Sequence, residues 1–325
     1  MICSPSYADG EVNLYSARQE ALIKPLLDAF TLDTGIQVNI ISSSADALLK
    51  RIQSEGINSP ADVLLTTDAG RLWRAKQANI FASINSDVLN KNIPSNYRDT
   101  ESKWFGLSLR VRPIMFANYA NTKKPQSYED LVNPEYTNNI CIRSSNNIYN
   151  QSLVAAMIHT LGEEKTEQWA NSLVENFART PQGGDRDQIR ATAAGQCEVA
   201  IANTYYLAQM AADQSNNADQ KAAQEVSVIW PNQADRGAHV NVSGAGVLNT
   251  APNQANAIKL LEYLSSNTAQ QIYADVNFEY PVKQDIEVNP LLASWGEFKA
   301  DDINLQQLGE NNAAAVQLMD RVGWK

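Results

Sequence analysis

The chain has 325 residues and a formal net charge of −10 at pH 7, so two lobes of roughly 150 residues each are expected, and nucleic acid or an acidic membrane surface is a poor match as main partner. It holds two histidines, His159 and His239, and three cysteines with no Cys-x-x-Cys pair, which leaves zinc and thiolate-rich chemistry poorly supplied. No apolar run approaches the roughly 20 residues of a membrane helix, and Met1 to Gly10 lacks the charged head and apolar centre of a signal peptide, so the sequence reads as a mature or trimmed soluble protein.

Glu11 to Tyr15 alternates Val12 and Leu14 against Asn13 and Tyr15, which predicts a first strand. It runs into Ser16-Ala17-Arg18-Gln19, whose Ser-x-x-Gln spacing predicts a capping box. The helix that follows has an apolar face of Leu22, Ile23, Leu26, Leu27 and Phe30; Pro25 predicts a kink or a restart, and Gly35 an end. Val38 to Ile41 reads as a second strand, Asp46 to Ser54 as a helix, and Val63 to Leu65 as a buried strand leading through Thr66-Thr67-Asp68 into another helix. This alternation predicts an α/β fold with a mostly parallel sheet.

Trp104 to Phe116 is long and extended, with Ser108, Arg110 and Arg112 on one face, and is a candidate for crossing between lobes. Arginines on a strand face usually make ion pairs, but two spaced to one side can also hold an anion bidentately. Ile140 to Arg143 reads as a strand and Ser144 to Tyr149 as a polar loop. Leu153, Val154, Met157, Ile158 and Leu161 then form the apolar face of a helix closed by Gly162, with His159 near its end in a surface or dipole-stabilised role. Pro181-Gln182-Gly183-Gly184-Asp185-Arg186-Asp187-Gln188 is a glycine turn with Asp185 as N-cap of Gln188 to Ala194; it lacks the Gly-Lys-Ser/Thr ending of a phosphate loop.

Cys197 to Ala202 reads as a short strand running into Asn203-Thr204-Tyr205-Tyr206, with Asn203 or Thr204 capping a helix over Leu207 to Ala212. Two adjacent phenols therefore sit at a strand-to-helix junction, a place where anions and metal complexes collect in open α/β sheets. Tyr149 repeats that placement. The plainer alternative for such a pair is half-buried packing with the hydroxyls on water or a carbonyl.

Ser215 to Lys221 reads as a surface loop, and Val226 to Trp230 and Val240 to Leu248 as strands. In the second of these, Ser243-Gly244-Ala245-Gly246 allows close backbone approach and a return to the first lobe. Asn253 to Ser265 and Thr268 to Asp275 read as amphipathic helices, and the tail from Pro290 as helical packing segments.

Cys141 and Cys197 each open a strand in the same half and are expected to pair, with two buried thiols as the alternative. A bridge implies an oxidising compartment and ~4 kcal/mol of stabilisation in the chain-entropy model. Cys3 is left over, a candidate lipid-anchor cysteine.

From Glu11 to Trp295 the sequence resembles the periplasmic ferric-iron-binding proteins of iron ABC transporters, the FbpA and FutA type of transferrin-like, type II substrate-binding protein. The resemblance is carried by Leu14-Tyr15-Ser16-Ala17-Arg18-Gln19-Glu20, Ser59-Pro60-Ala61-Asp62-Val63, Trp104-Phe105-Gly106-Leu107-Ser108, Tyr149-Asn150, the glycine turn from Pro181 to Gln188, Asn203-Thr204-Tyr205-Tyr206 and Glu279-Tyr280-Pro281-Val282-Lys283. It implies two α/β lobes joined by crossing strands, which we place at residues 1–112 with 232–282 and at 113–231 with 283–325. It further implies a periplasmic monomer, not an enzyme, that holds Fe(III) in the interlobe cleft and delivers it to an inner-membrane ABC permease.

By the same resemblance, Tyr205 and Tyr206 fall on the family's paired metal ligands and Tyr149 on a third tyrosine used by one subgroup. The histidine, or histidine then tyrosine, that much of the family carries after the first strand is Gln19-Glu20 here. A carbonate or bicarbonate held by Arg18 and Arg110, with Gln19 as a hydrogen-bonding neighbour, fills the coordination that this departure leaves. The chemistry agrees independently: ferric ion is a hard trication that prefers oxygen donors, and three phenolates cancel its charge. Strand parity alone leaves open which face Tyr15 and Arg112 present. The alternative is a receptor of the same architecture for a polyamine, a phosphate-like ligand or an organic anion, in which the phenols only stack or hydrogen-bond. An enzyme would need an activated nucleophile or acid/base pair, whereas His239 has no Ser or Cys partner by motif and Glu20 and Asp185 read as helix-end charges.

Overall fold

The structure, a computed structural model, describes residues 10–325; Cys3 lies outside the described residues. Among them are nine strands: β1 (Glu11–Ser16), β2 (Gln37–Ser42), β3 (Val63–Thr67), β4 (Phe105–Val111), β5 (Ile114–Ala117), β6 (Ile140–Cys141), β7 (Val199–Ile201), β8 (Val226–Ile229) and β9 (Val240–Val247). They form two sheets, ordered β2-β1-β3-β9-β4 and β6-β7-β5-β8. The chain divides into two units. The first comprises the described residues up to Leu109 with Val242–Glu287 and Asn304–Gln306, and the second Arg110–Asn241, Val288–Ile303 and Gln307–Lys325. The division falls inside β4 and inside β9, and Arg112-Pro113 then separates β4 from β5. The extended run from Trp104 to Phe116 is therefore two strands of different sheets, because Pro113 has no N–H to carry one ladder onward.

In the first unit β1 pairs in parallel with β2 and β3, Leu14 lying opposite Ile40 and Val63. The helix Glu20–Thr34 buries Ile23, Leu26, Leu27 and Phe30 and passes through Pro25 without a restart, since burial of that face outweighs the one hydrogen bond the proline removes. The expected capping box is absent: Ser16 ends β1, and its Oγ accepts from the backbone N of Arg18 at 3.2 Å, so the helix starts only after Gln19, whose side chain does not cap. Gly35, at φ 73°, closes the helix through its N–H to Thr31 O.

β9 returns antiparallel to β3, with Gly244 opposite Thr66 and Gly246 opposite Leu64. A Cβ on Gly244 would lie 2.5 Å from Phe105 O, and one on Gly246 would lie 2.6 Å from Lys103 O, which is the close approach that the two glycines permit. Gly244→Ala is accordingly expected to lose about 1–3 kcal/mol, because the obstructing atom is backbone and cannot swing away. Urea unfolding checks this, and an unchanged midpoint would show that β4 yields freely.

In the second unit only β6 and β7 are parallel; β5 lies between β7 and β8 and runs against both. The expectation of a mostly parallel sheet thus gives way to a mixed one here, because β5, the strand following the passage from the first unit, is inserted among strands built by crossover connections. One face of the sheet packs Leu153, Val154, Met157 and Ile158 against Trp169, Leu173, Leu318, Met319 and Trp324. The other packs Met115, Cys141, Ile189, Cys197 and Leu207. Cys141 and Cys197 form the expected disulfide, both buried.

Two local expectations are corrected. Ser215 to Lys221 is not a loop throughout: a helix, Asn217–Gln224, is capped by the Asn216 side chain and buries only Ala223 and Asp219, too narrow an apolar stripe to read from the pattern. Asp185 is not an N-cap but the first residue of the helix Asp185–Ala193; the Asp187 side chain accepts from Gly184 N at 2.7 Å, which leaves the buried Asp185 carboxylate for other partners. Among the described residues no helix is long and apolar enough to cross a membrane.

Candidate metal centre

β6 and β7, the parallel pair, each lead to a helix that opens on an asparagine. Asn147 precedes the helix Ile148–Leu161 and Asn203 the helix Thr204–Ala212, so Tyr149 and Tyr205 are each the second residue of their helix and Tyr206 follows directly. The Asn147 side chain caps its helix by accepting from Tyr149 N at 3.1 Å. The three tyrosines expected just before a helix are thus inside the first turns of the two helices, and Ser144 to Tyr149 is a loop only up to Asn147. The three phenols converge: Tyr205 Oη donates to Tyr149 Oη at 3.4 Å, and the Tyr205 and Tyr206 rings lie 4.2 Å apart between centroids. Tyr205 is buried, whereas Tyr149 and Tyr206 are half-buried.

Cations surround these rings. The guanidinium of Arg110 lies 5.3 Å from the Tyr205 centroid and 6.0 Å from that of Tyr149. Arg112 and Arg143 stand 5.9 and 5.6 Å from Tyr149, and Arg186 stands 5.1 Å from Tyr206. Beneath them the Asp185 carboxylate accepts from Arg112 Nη1 at 2.9 Å, Arg143 Nη1 at 3.2 Å and the backbone N of Asn203 at 2.8 Å. Arg112 also donates to Asn203 Oδ1, Asn150 Oδ1 and Ile201 O. Its fork is therefore committed within the protein, and the suggestion that Arg110 and Arg112 together clamp an anion does not fit it. Burial first, and then the neighbouring Tyr149, hold the Tyr205 phenol well above the usual phenol range, with Arg110 opposing. Burial, then Tyr149 and Asp185, push Tyr206 up to about 12. Both phenols are protonated at neutral pH when no metal is bound.

Arg18 and Gln19 belong to the first unit. Arg18 is 4% exposed and donates to both oxygens of Glu279, at 3.0 and 3.2 Å, and to Ser243 Oγ; Ser108 Oγ donates to the same carboxylate. Gln19 is exposed. Tyr15 gives its hydroxyl to Glu55 at 2.9 and 3.0 Å. His239 is buried, and burial with Arg112 and Arg236 lowers its pKa to about 3, so it stays neutral; His159 is exposed near its helix end. Of the residues singled out in the sequence, Tyr149, Tyr205, Tyr206 and Arg110 come together in the second unit. Asp185, Arg143, Arg186 and Asn203, which ring them, were not singled out for the site. The visible signal was the polar run Gly184-Asp185-Arg186-Asp187, but which of its charges turn inward depends on the Asp187 bond to Gly184. Among the described residues no group of three or more His, Cys, Asp or Glu side chains converges to hold a metal.

Two α/β units, with tyrosines presented at helix starts beyond parallel strands, are the architecture of a solute-binding protein. The sequence model for bacterial extracellular solute-binding proteins matches residues 58–302, and the chain belongs to that family, one of binding proteins for transport and not of enzymes. Iron uptake protein A1 of Synechocystis sp. is 47% identical over 318 residues, covering 97% of this chain and 88% of that protein. The solved structure of Trichodesmium IdiA (FutA) in complex with iron and citrate ligands superposes with a TM-score of 0.94 at 48% identity, covering 97% of this chain and all of that one (100%). The ferric-iron-binding protein A of Mannheimia haemolytica in an open conformation gives a TM-score of 0.90 at 44% identity, covering 97% and 99%.

Proposed function

We propose that this protein captures ferric iron outside the cytoplasm, in a periplasm, through the phenolates of Tyr149, Tyr205 and Tyr206, and delivers it to an inner-membrane ABC permease. The observation that carries the reading is the convergence of the three phenols at two helix starts, with Tyr205 Oη 3.4 Å from Tyr149 Oη. The relatives described as iron uptake and ferric-binding proteins support the same cargo. Three phenolates match the charge of a hard trication, and the positive ends of the two helices favour the anionic ring oxygens. Arg110 neutralises a small anion, carbonate, bicarbonate or a carboxylate such as citrate, that completes the coordination. The part given to Arg18 and Gln19 in holding that anion rests on the resemblance, because the Arg18 guanidinium is paired with Glu279. Visible titration with ferric citrate, set beside thermal shift with phosphate and spermidine, tests the reading: colour and stabilisation with iron support it, and stabilisation by phosphate or spermidine alone replaces it with the generic receptor.

A second expectation follows from the raised phenol pKa values. A phenol that is neutral before loading and anionic after it must lose a proton, so iron should displace three protons at neutral pH, one for each phenolate, with burial making those of Tyr205 and Tyr206 the harder to remove. Affinity then falls as pH falls, since protons compete for the same oxygens. A pH-stat titration corrected for the iron chelate measures this, and loading without proton release contradicts phenolate ligation.

A further inference from the structure

We propose that Arg112 is the positioning residue of this site: one buried guanidinium ties together the two helix starts that carry the tyrosines and fixes the spacing of their hydroxyls. The inference rests on the ferric reading above. Arg112 is 1% exposed, and its acceptors lie on both sides of the ligand set. Nη2 reaches Asn150 Oδ1 at 2.7 Å, on the residue directly after Tyr149. Nη1 reaches Asn203 Oδ1 at 3.1 Å, on the residue that opens the helix of Tyr205 and Tyr206. Nη1 also meets Asp185 Oδ2 at 2.9 Å, and that same oxygen accepts from Asn203 N at 2.8 Å, so the helix start is gripped through backbone and side chain together. Nη2 further reaches Ile201 O, the end of β7.

The base of the arginine is fixed as well. Its N donates to His239 O at 3.1 Å, and its O accepts from Tyr128 Oη at 2.6 Å, while Tyr128 Oη accepts from His239 N at 3.1 Å. A planar fork with five donors can serve separated acceptors at once; an ammonium is a point charge that cannot span them in the same plane. Residues that orient metal ligands typically change affinity by about 10–100-fold when altered.

Arg112→Lys and Asp185→Asn test this, each titrated with ferric citrate in the visible at a temperature where circular dichroism shows the variant folded. Asp185→Asn keeps an oxygen for Asn203 N and serves if Arg112→Lys does not fold. We expect about 10–100-fold weaker iron binding with a shifted phenolate-to-iron band in either variant, and a double variant little worse than the singles because the pair acts as a unit. A role in folding alone would lower the melting temperature and leave the band and the affinity of folded protein unchanged, and that result overturns the inference. A parent without the band overturns the ferric-phenolate reading and this inference with it; a parent with the band and folded variants that match it overturns this inference alone.

Discussion

Tyr205→Phe and Tyr206→Phe are expected to keep the fold and lose ferric iron. Each substitution retains the ring, and with it the 4.2 Å packing between the two rings, but removes one anionic oxygen from the metal. The hydroxyl of Tyr205 is held only at 3.4 Å to Tyr149 and 3.5 Å to Asn203, so its loss should cost the folded state no more than about 1 kcal/mol. Uncompensated charge at the metal is a larger effect, ~3–5 kcal/mol by analogy with breaking a buried ion pair, or a loss in affinity of more than about 100-fold. Titration of each variant with a weak ferric chelate reads the affinity, and circular dichroism reads the fold. Parent-like affinity and colour in both variants would leave the tyrosines as packing residues.

Removal of the disulfide by Cys141→Ala with Cys197→Ala is expected to lower the free energy of unfolding by ~4 kcal/mol in the chain-entropy model. The bridge joins residues separated by 56 positions. The ladder beside it is short, with only Ile140 opposite Val199 and Cys141 opposite Ala200. Few hydrogen bonds therefore replace the covalent tie between the strands from which both tyrosine helices depart. Urea titration of the parent with and without reductant, beside the alanine double variant, measures the difference. The reduced parent should approach the variant, the variant should ignore reductant, and molecules that remain folded should still colour with iron. Equal unfolding midpoints in all samples would show that the bridge adds nothing to the native state.

What the sequence made legible follows from local pattern. Alternation placed β1, helical spacing found the face of Ile23, Leu26, Leu27 and Phe30, and Gly35 gave its end. The twin placement of Tyr149 and Tyr205 was visible because each follows a strand and an asparagine closely. What remained hidden was set by tertiary partners. Glu279 lies 261 residues from Arg18, yet it decides that this guanidinium is already neutralised. Asp185 reads as a surface cap until Asp187 is seen to take the reach-back bond, and Arg112 shares a strand face with Arg110 although only the distant Asn150, Asp185 and Asn203 define its job. The antiparallel insertion of β5 was equally out of reach, since the three-residue β7 and the two-residue β6 carry too little pattern to fix their neighbours.

Resonance Raman spectroscopy of the iron-loaded protein, excited within its visible band, tests ferric capture by phenolates most directly, because only modes of groups bonded to the metal are enhanced. The account predicts enhanced phenolate ring modes at one iron per chain, weakened in Tyr149→Phe, Tyr205→Phe and Tyr206→Phe. One tightly bound iron per chain with no visible band and no phenolate modes would contradict it.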